Sequence, residues 1–279
     1  MTQTTEIVFM WVTVSLYALA SALFIIGFVF RKERVSSVAL AVTVVGLVPH
    51  LAAIAGRWVR VGHGPFIGFY EVVSSYAFVG VVAFCLLLWR YRSLRATGIV
   101  LMPLAFLAVG GAMLAPKSEL QVTATLASYW LAVHVAFAKL SYGSFITAFG
   151  LAVIHIIRDR RPDGPMAARL AKLPPQDVID DLTFKFVAAG FIFLGVMIAA
   201  GAIWANEAWG RYWGWDPIET WSLISWLCYA VVLHLRLTMG WKGSRFSWAA
   251  IAALPVMLFA AVGVAVVYNT IHGAYLTGY

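Results

Sequence analysis

The sequence contains few charged residues and almost no cysteine. Asp, Glu, Lys and Arg make up 11% of its 279 residues, whereas 62% of the residues are hydrophobic. Soluble domains are usually about half apolar and about a quarter charged. The composition therefore excludes a set of soluble domains and indicates one helical bundle within a membrane. The two cysteines, Cys85 and Cys228, lie in apolar segments without CxxC or other metal-ligand spacing, and we interpret them as core or lipid-facing residues.

Acidic residues are scarcer than basic ones, and the formal net charge is +8. A positive charge can indicate nucleic-acid binding, but here the basic residues lie in short loops between apolar runs, as the positive-inside rule describes. The chain also lacks a basic stretch ahead of its first apolar run, which begins near Ile7 and is too long for a signal-peptide core. We therefore interpret this run as a transmembrane helix and predict no nucleic-acid partner.

Eight continuous apolar runs have the roughly 20 residues that a membrane-spanning helix needs. A membrane β-barrel would need alternating strands of about 10 residues, and these runs do not alternate. The sequence therefore predicts an all-α integral membrane protein, a bundle of about eight transmembrane helices that forms a single domain over residues 1–279. The predicted spans are 7–30, 36–56, 70–89, 97–115, 129–157, 185–204, 219–238 and 247–268.

Lys and Arg are distributed unequally between the two sets of connecting loops. Fifteen lie in one set, whereas only Arg57, Arg60, Lys117 and Arg211 lie in the other. The rich set, which includes the polar loop 158–184, is predicted to be cytoplasmic. Both termini are then extracytoplasmic, as an even number of spans requires.

Half of the twelve tryptophans fall within residues 204–226, WANEAWGRYWGWDPIETWSLISW. The same stretch contains Glu207, Asp216 and Glu219, and the predicted orientation places its loop, 204–221, outside the membrane. One interpretation is an aromatic belt, because Trp collects at membrane–water interfaces. The other is a platform for a large, flat, apolar ligand.

The run WGxYWxWDPxETW, at residues 209–221, resembles the tryptophan-rich WWD signature of cytochrome c assembly proteins that handle haem. It looks most like the CcsA/ResC branch, the haem-handling subunit of the system II cytochrome c synthase. The resemblance covers roughly residues 57–279 and includes a Gly-His-x-Pro run followed by a Tyr-Glu pair. The chain keeps Gly62, His63, Pro65, Tyr70 and Glu71 of this second motif. It departs at Phe66, Ile67, Gly68 and Phe69, where Leu/Trp-Ser-Asn type residues are usual.

The resemblance implies a haem site made of histidines and the tryptophan-rich stretch. His134 and His272, one on each side of this stretch in sequence, are expected as axial ligands of the haem iron. His234, on the helix after the stretch, is expected at a second haem site used while haem crosses the membrane. Without the resemblance, unrelated interfacial histidines are the simpler interpretation of His134 and His272. The other expected cofactor-binding residues are Trp209, Trp213, Trp215, Asp216 and Trp221.

The remaining histidines and several charged residues have other expected roles. We expect His50 to be structural or hydrogen-bonding, His63 to order its loop and His155 to be interfacial. Lys139 lies about ten residues into its helix, where it needs a partner such as Glu71, a haem propionate or a polar cavity. Position alone suggests three candidates for pairing with propionates: Arg57, Arg60 and Arg211.

The resemblance implies haem transport to the outer membrane face and haem presentation for covalent attachment to the CxxCH site of an apocytochrome c. Haem b is then the substrate and ligand, and no side chain resembles an acid–base catalyst. The chain is expected to be a subunit of a holocytochrome c synthase, or haem lyase, complex. Its expected partners are a CcsB/ResB-type membrane subunit, apocytochrome c and, indirectly, thiol-reducing proteins. The alternatives are CcmC-like haem delivery to a chaperone and a non-haem membrane transporter or scaffold; a bacterial plasma membrane is favoured over a thylakoid membrane.

Overall fold

The protein is a bundle of long helices, described by a computed structural model over residues 1–117, 119, 123–165, 170, 173–268 and 270. In this part of the chain, eight spans are long and apolar enough to cross a membrane and no strand occurs, which confirms the predicted all-α membrane fold. The extracytoplasmic position of both termini stays a prediction. The helices are α1 (Gln3–Val29), α2 (Glu33–Val61), α3 (Phe69–Arg90), α4 (Gly98–Leu114), α5 (Tyr129–Arg160), α6 (Gln176–Trp209), α7 (Pro217–Leu237), α8 (Ser244–Leu258) and α9 (Val264–Val267). A 3₁₀ helix (Arg92–Thr97) precedes α4, a second (Ala124–Leu126) precedes α5, and a π-helical turn (Phe259–Gly263) joins α8 to α9 within one span.

Two apolar cores hold the helices together, one mainly among α1 to α4 and the other among α5 to α8. In the first core, a Cβ atom at Gly98 would lie 2.6 Å from the ring of Phe24, so glycine allows α4 to approach α1 closely. In the second, Phe145 of α5 stacks on Tyr229 of α7 with 3.5 Å between ring centroids. Helix α5 packs against α3, α6 and α8 and so connects the two halves of the bundle.

The loops at both ends of the bundle are shorter than predicted. Helix α6 continues through Trp209 and ends at Gly210, whose φ of 71° is the left-handed conformation that glycine adopts readily. Because α7 begins at Pro217, the non-helical tryptophan-rich loop is 210–216 instead of 204–221. The connector between α5 and α6 likewise spans 161–175 instead of 158–184. These helices therefore continue past the ends of the apolar runs from which the spans were predicted.

The Asp-Pro-x-Glu part of the tryptophan motif forms the start of α7. The Asp216 carboxylate accepts a hydrogen bond from the amide of Ile218 at 3.2 Å, and Pro217 occupies the first turn of the helix. Glu219 Oε2 in turn accepts hydrogen bonds from the amides of Asp216 at 3.1 Å and Gly214 at 2.9 Å. This reciprocal capping box fixes the end of the loop against the helix.

Candidate functional site

A cleft opens at the end of the bundle that carries loop 210–216, called here the tryptophan end. Side chains of α3, α5, α6, α7 and the π turn line the cleft, which encloses about 1060 Å³ of empty space, counting the part open to solvent. Binding pockets for small molecules are mostly apolar with a few polar groups. The cleft therefore has the composition of a site for a mainly apolar ligand.

His134 is the histidine of this cleft. Its Nδ1 atom lies 2.8 Å from the carbonyl oxygen of Met197 on α6. A carbonyl oxygen can only accept, so Nδ1 carries the proton and Nε2 carries the lone pair. Gly201, one turn further along α6, lies beside the same ring, because a Cβ atom there would be 2.6 Å from Nδ1. The imidazole is thus held in the tautomer that suits a metal ligand.

Trp204 forms a fixed wall of the cleft. It is 2% exposed, and its indole Nε1 donates a hydrogen bond to the carbonyl oxygen of Thr125 at 2.7 Å. Its ring lies 6.4 Å from that of His134, and Trp209 packs edge-on against its other side at 4.9 Å between centroids. Trp209 therefore supports the wall from behind, whereas Trp204 lines the cleft.

The other predicted tryptophans have different positions around the cleft. Trp213 lines it, and its buried indole Nε1 has no hydrogen-bond partner in the described part of the chain. Trp215 packs edge-on against Trp213 at 5.7 Å but is 68% exposed at the rim. Trp221 packs against Phe259 of the π turn at 4.6 Å. Asp216 is the N-cap of α7, where its carboxylate accepts from the backbone of its own helix.

The loop 62–68 closes one side of the cleft with the ring of Phe66. Two groups hold this loop in place. Glu71 Oε2 accepts a hydrogen bond from the amide of Ile67 at 3.2 Å, and Lys139 Nζ donates to the carbonyl oxygen of Pro65 at 2.9 Å. Lys139 thus bonds to a loop carbonyl, whereas the sequence suggested Glu71, a propionate or a polar cavity as its partner, and Glu71 forms its ion pair with another residue.

That residue is Arg57, whose Nε lies 2.7 Å from Glu71 Oε1 and whose Nη1 lies 3.4 Å from Glu6 Oε1. Arg60 pairs with Glu6 as well and also with Glu119, at 2.8 Å. Arginines 57 and 60 are thus occupied by carboxylates and do not line the cleft, which disfavours them as partners of propionates. Arg211 is exposed on loop 210–216.

The other histidines lie away from this cleft or outside the described residues. His272, the second expected axial ligand, is outside them. His234 is exposed on α7, on the same face as Leu227 and Val231. His50 is fully buried and bonds to the hydroxyl oxygens of Tyr17 at 3.1 Å and Ser74 at 3.3 Å, as a structural histidine would.

The two remaining histidines are His63 and His155. His63 Nδ1 donates to the carbonyl oxygen of Gly64 at 2.8 Å, which agrees with a loop-ordering role. His155 is only 2% exposed and lies against Gly243, so it is packed among the helices, and its expected position at the membrane interface stays a prediction.

Several lining residues had no assigned role in the sequence. Phe66, Tyr142 and Tyr212 line the cleft together with Glu219, whose carboxylate is also part of the capping box. Phe66 is one of the positions where the sequence departs from the family pattern, and this departure could have drawn attention to it. Nothing in the local sequence distinguishes Tyr142, because only the packing of α5 places its ring there.

Comparison with known proteins identifies relatives along nearly the whole chain. The family model described as cytochrome C assembly protein matches residues 13–272. A cytochrome c biogenesis protein CcsA from Guillardia theta is 28% identical over 260 residues, 86% of each chain. One from Synechococcus sp. (strain CC9605) is 32% identical over 262 residues, 85% of this chain and 86% of the relative.

The fold is also similar to that of a solved protein structure. The cytochrome c haem lyase CcmF matches with a TM-score of 0.68 and 17% sequence identity, over 94% of this chain. The match covers 50% of CcmF, so the chain spans half the length of that protein. At this identity the likeness concerns the fold alone.

Proposed function

The chain belongs to the cytochrome c assembly protein family, and from this premise we propose that its cleft holds haem and presents it to an apocytochrome c. The observation that carries the proposal is His134, which is held by Met197 through Nδ1 and lines an apolar aromatic cleft of about 1060 Å³. Haem is the substrate of the assembly reaction. Its vinyl groups form the thioether bonds with the two thiols of a CxxCH site.

His134 would bind the iron through Nε2. The hydrogen bond from Nδ1 to Met197 sets the ring orientation and raises the basicity of Nε2, as such partners do for metal-bound histidines. The second axial ligand is proposed to be His272, on the strength of the resemblance. Two neutral imidazoles would protect the iron until the histidine of the incoming CxxCH site replaces one of them.

The tryptophans would bind the flat macrocycle. Trp204 and Trp213 offer ring surface on the cleft wall, and burial of apolar area contributes roughly 25 cal/mol per Å². The buried Nε1 of Trp213 provides a hydrogen-bond donor for a haem carboxylate. Such a partner would remove the cost of leaving that N–H without an acceptor.

The rim of the cleft is where the client would bind. Trp215 and Tyr212 are 68% and 60% exposed, and both belong to the loop fixed by the α7 capping box. Exposed aromatic side chains on a rigid loop are suited to contact a polypeptide partner. We place the CxxCH segment of the apocytochrome c against these two residues, with a haem edge directed towards them.

His234 is proposed to serve an earlier step, at the opposite end of α7. It lies 18 residues beyond Asp216, or about 27 Å along the helix axis. A histidine exposed to lipid is costly, so its face, with Leu227 and Val231, is proposed to be covered by the CcsB/ResB-type subunit. Haem would be held there before it reaches the cleft. The similar CcsA proteins come from Synechococcus and Guillardia theta, so both a bacterial plasma membrane and a thylakoid membrane are compatible.

The test is the dithionite-reduced absorption spectrum of the detergent-purified protein, co-expressed with a CcsB-type subunit. We expect a low-spin haem spectrum in wild type that is lost in the variant with His134→Ala and His272→Ala. His155→Ala is the matched control, because His155 lies on the same helix but far from the cleft. Haem retained by the double variant but lost in His234→Ala would move the main site to α7. Absence of haem from the wild-type protein would refute the proposal.

A further inference from the structure

A second large cleft opens at the opposite end of the bundle, called here the arginine end. It lies between the α1–α2 turn and the 3₁₀ helix Arg92–Thr97 and encloses about 1400 Å³, counting the part open to solvent. Three arginines line it, Arg31, Arg92 and Arg95, and Glu33 is the one acid among its described lining residues. The cleft is therefore positively charged, and it is separate from the proposed haem cleft.

Arg95 has an unused donor within this cleft. Its Nη1 donates to Ser37 Oγ at 2.9 Å, which fixes the guanidinium between α2 and the 3₁₀ helix. Its Nε is buried and has no hydrogen-bond partner in the described part of the chain. The short helix is anchored by fully buried Leu94 and by Thr97 Oγ1, which donates to the Leu94 carbonyl oxygen at 2.7 Å.

Arg31 reaches the cleft from a strained turn. Its φ is 57°, a left-handed conformation that is uncommon for residues other than glycine. The turn is closed by a hydrogen bond from the amide of Lys32 to the carbonyl oxygen of Gly27 at 2.9 Å. A Cβ atom at Gly27 would lie 2.4 Å from Ser36 Oγ, so the glycine brings α1 and α2 together here. Strain held in place by close packing is often found at binding sites.

The arginines are combined with apolar surface. The ring of buried Phe24, together with Phe28 and Leu173, lines the same cleft. Phe24 and Leu173 belong to the first apolar core, whereas Phe28 is only partly buried, so the arginines border apolar surface. A ligand with a charged head and a hydrocarbon body would contact both groups.

We propose that the cleft at the arginine end binds the phosphate headgroup of an anionic phospholipid, with an acyl chain against Phe28. Arginine binds phosphate oxygens through paired N–H groups, and basic pockets between membrane helices bind anionic lipid headgroups. The lipid would connect the α1–α2 turn to the α3–α4 connection. This inference does not depend on the haem function.

The test measures retention of phosphatidylglycerol and phosphatidylcholine by the full chain in detergent, using native mass spectrometry. Wild type is expected to retain one phosphatidylglycerol in preference to phosphatidylcholine. Arg92→Gln combined with Arg95→Gln should weaken this binding at least tenfold, since each arginine contributes roughly fivefold. Arg34→Gln is the matched control, because Arg34 is exposed on the neighbouring turn of α2 but does not line the cleft. It should change binding by less than about twofold.

Three results would overturn the proposal. Equal retention of the two lipids would exclude a site specific for an anionic headgroup. An equal loss of binding in Arg34→Gln would show that the lipid is attracted by the overall positive charge and not by this cleft. Competition by inorganic phosphate or protoporphyrin IX at the concentration of phosphatidylglycerol would show that the site takes another anion. If the double variant does not fold, Arg92→Gln alone carries the test, because the Arg92 side chain is exposed. Its expected effect is about fivefold.

Discussion

The ring of His134 lies against the backbone of Gly201, with Nδ1 2.6 Å from the place where a Cβ atom at residue 201 would be. The same nitrogen lies 2.8 Å from the carbonyl oxygen of Met197, one turn earlier on α6. One helix thus provides both the hydrogen-bond acceptor and the space for the histidine of the neighbouring helix. The position of the proposed iron ligand therefore depends on a residue that would itself never contact haem iron.

Gly201→Ala is expected to displace His134 and lower haem retention. The added methyl group would lie closer to the ring than real Cβ contacts allow, so the imidazole must move and its bond to Met197 weakens. Loss of such an orienting bond usually costs about 10–100-fold in metal affinity. Haem titration followed by the Soret band measures this change. Gly111→Ala is the control, because nothing lies within 4 Å of its Cβ position; equal haem affinity in the two variants would contradict the role of Gly201.

Asp216→Ala should loosen loop 210–216, whereas Asp216→Asn should not. Asparagine keeps an oxygen that can accept from the amide of Ile218, and alanine does not. Loss of an N-cap destabilises a helix end by about 0.5–2 kcal/mol. Hydrogen exchange of the amides of Gly214 and Ile218 is the measurement. If the asparagine variant exchanged as fast as the alanine variant, the negative charge, and not the cap, would be what the loop requires.

Lys139→Met is expected to free the loop 62–68 without unfolding the bundle. The substitution keeps the apolar part of the side chain and removes the donor to the Pro65 carbonyl oxygen. It also removes a charge from the membrane interior, which offsets part of the lost stability. Faster hydrogen exchange should therefore be confined to residues near Phe66, with several-fold weaker haem binding. Leu140→Met, at the next and partly exposed position, serves as the control. Unchanged hydrogen exchange in the loop 62–68 would show that the hydrogen bond from Lys139 does not hold the loop in place.

Glu71→Gln should destabilise the protein far more than Glu119→Gln. Glu71 is 4% exposed in its ion pair with Arg57, whereas the Glu119 side chain is 45% exposed in its pair with Arg60. Removing one charge of a buried pair costs about 3–5 kcal/mol, whereas exposed pairs contribute at most about 1 kcal/mol. Unfolding of both variants in mixed micelles compares the free energies. Similar losses would mean that the two pairs have the same environment in the membrane.

Much of the fold could be predicted from the sequence because lipid imposes a simple rule. A segment that crosses it must satisfy its own backbone hydrogen bonds and expose apolar side chains, so eight apolar runs predict eight helices. The ends of these helices were predicted less accurately. The apolar run stops before the polar residues Asn206 and Glu207, yet α6 continues through them and ends at Gly210.

The candidate site could be predicted only in part. The tryptophan-rich stretch and its Asp-Pro-x-Glu start of α7 are local, and the sequence pointed to both. The sequence of this stretch did not show which of its rings line the cleft. Trp204 and Trp213 line the cleft, whereas Trp209 packs against Trp204 and Trp215 lies at the rim.

The sequence by itself determined the membrane class, the number of spans and the pair of helices that the tryptophan-rich stretch connects, because composition and hydropathy are local properties. Only the tertiary structure decided which distant residues meet. His134 reaches Met197 across 63 positions, and Lys139 reaches Pro65 across 74. The cleft at the arginine end likewise combines the turn between α1 and α2 with the connection between α3 and α4. These contacts depend on which helices pack against one another. Each helix carries apolar side chains that are compatible with lipid, so no single segment of the sequence specifies its neighbours.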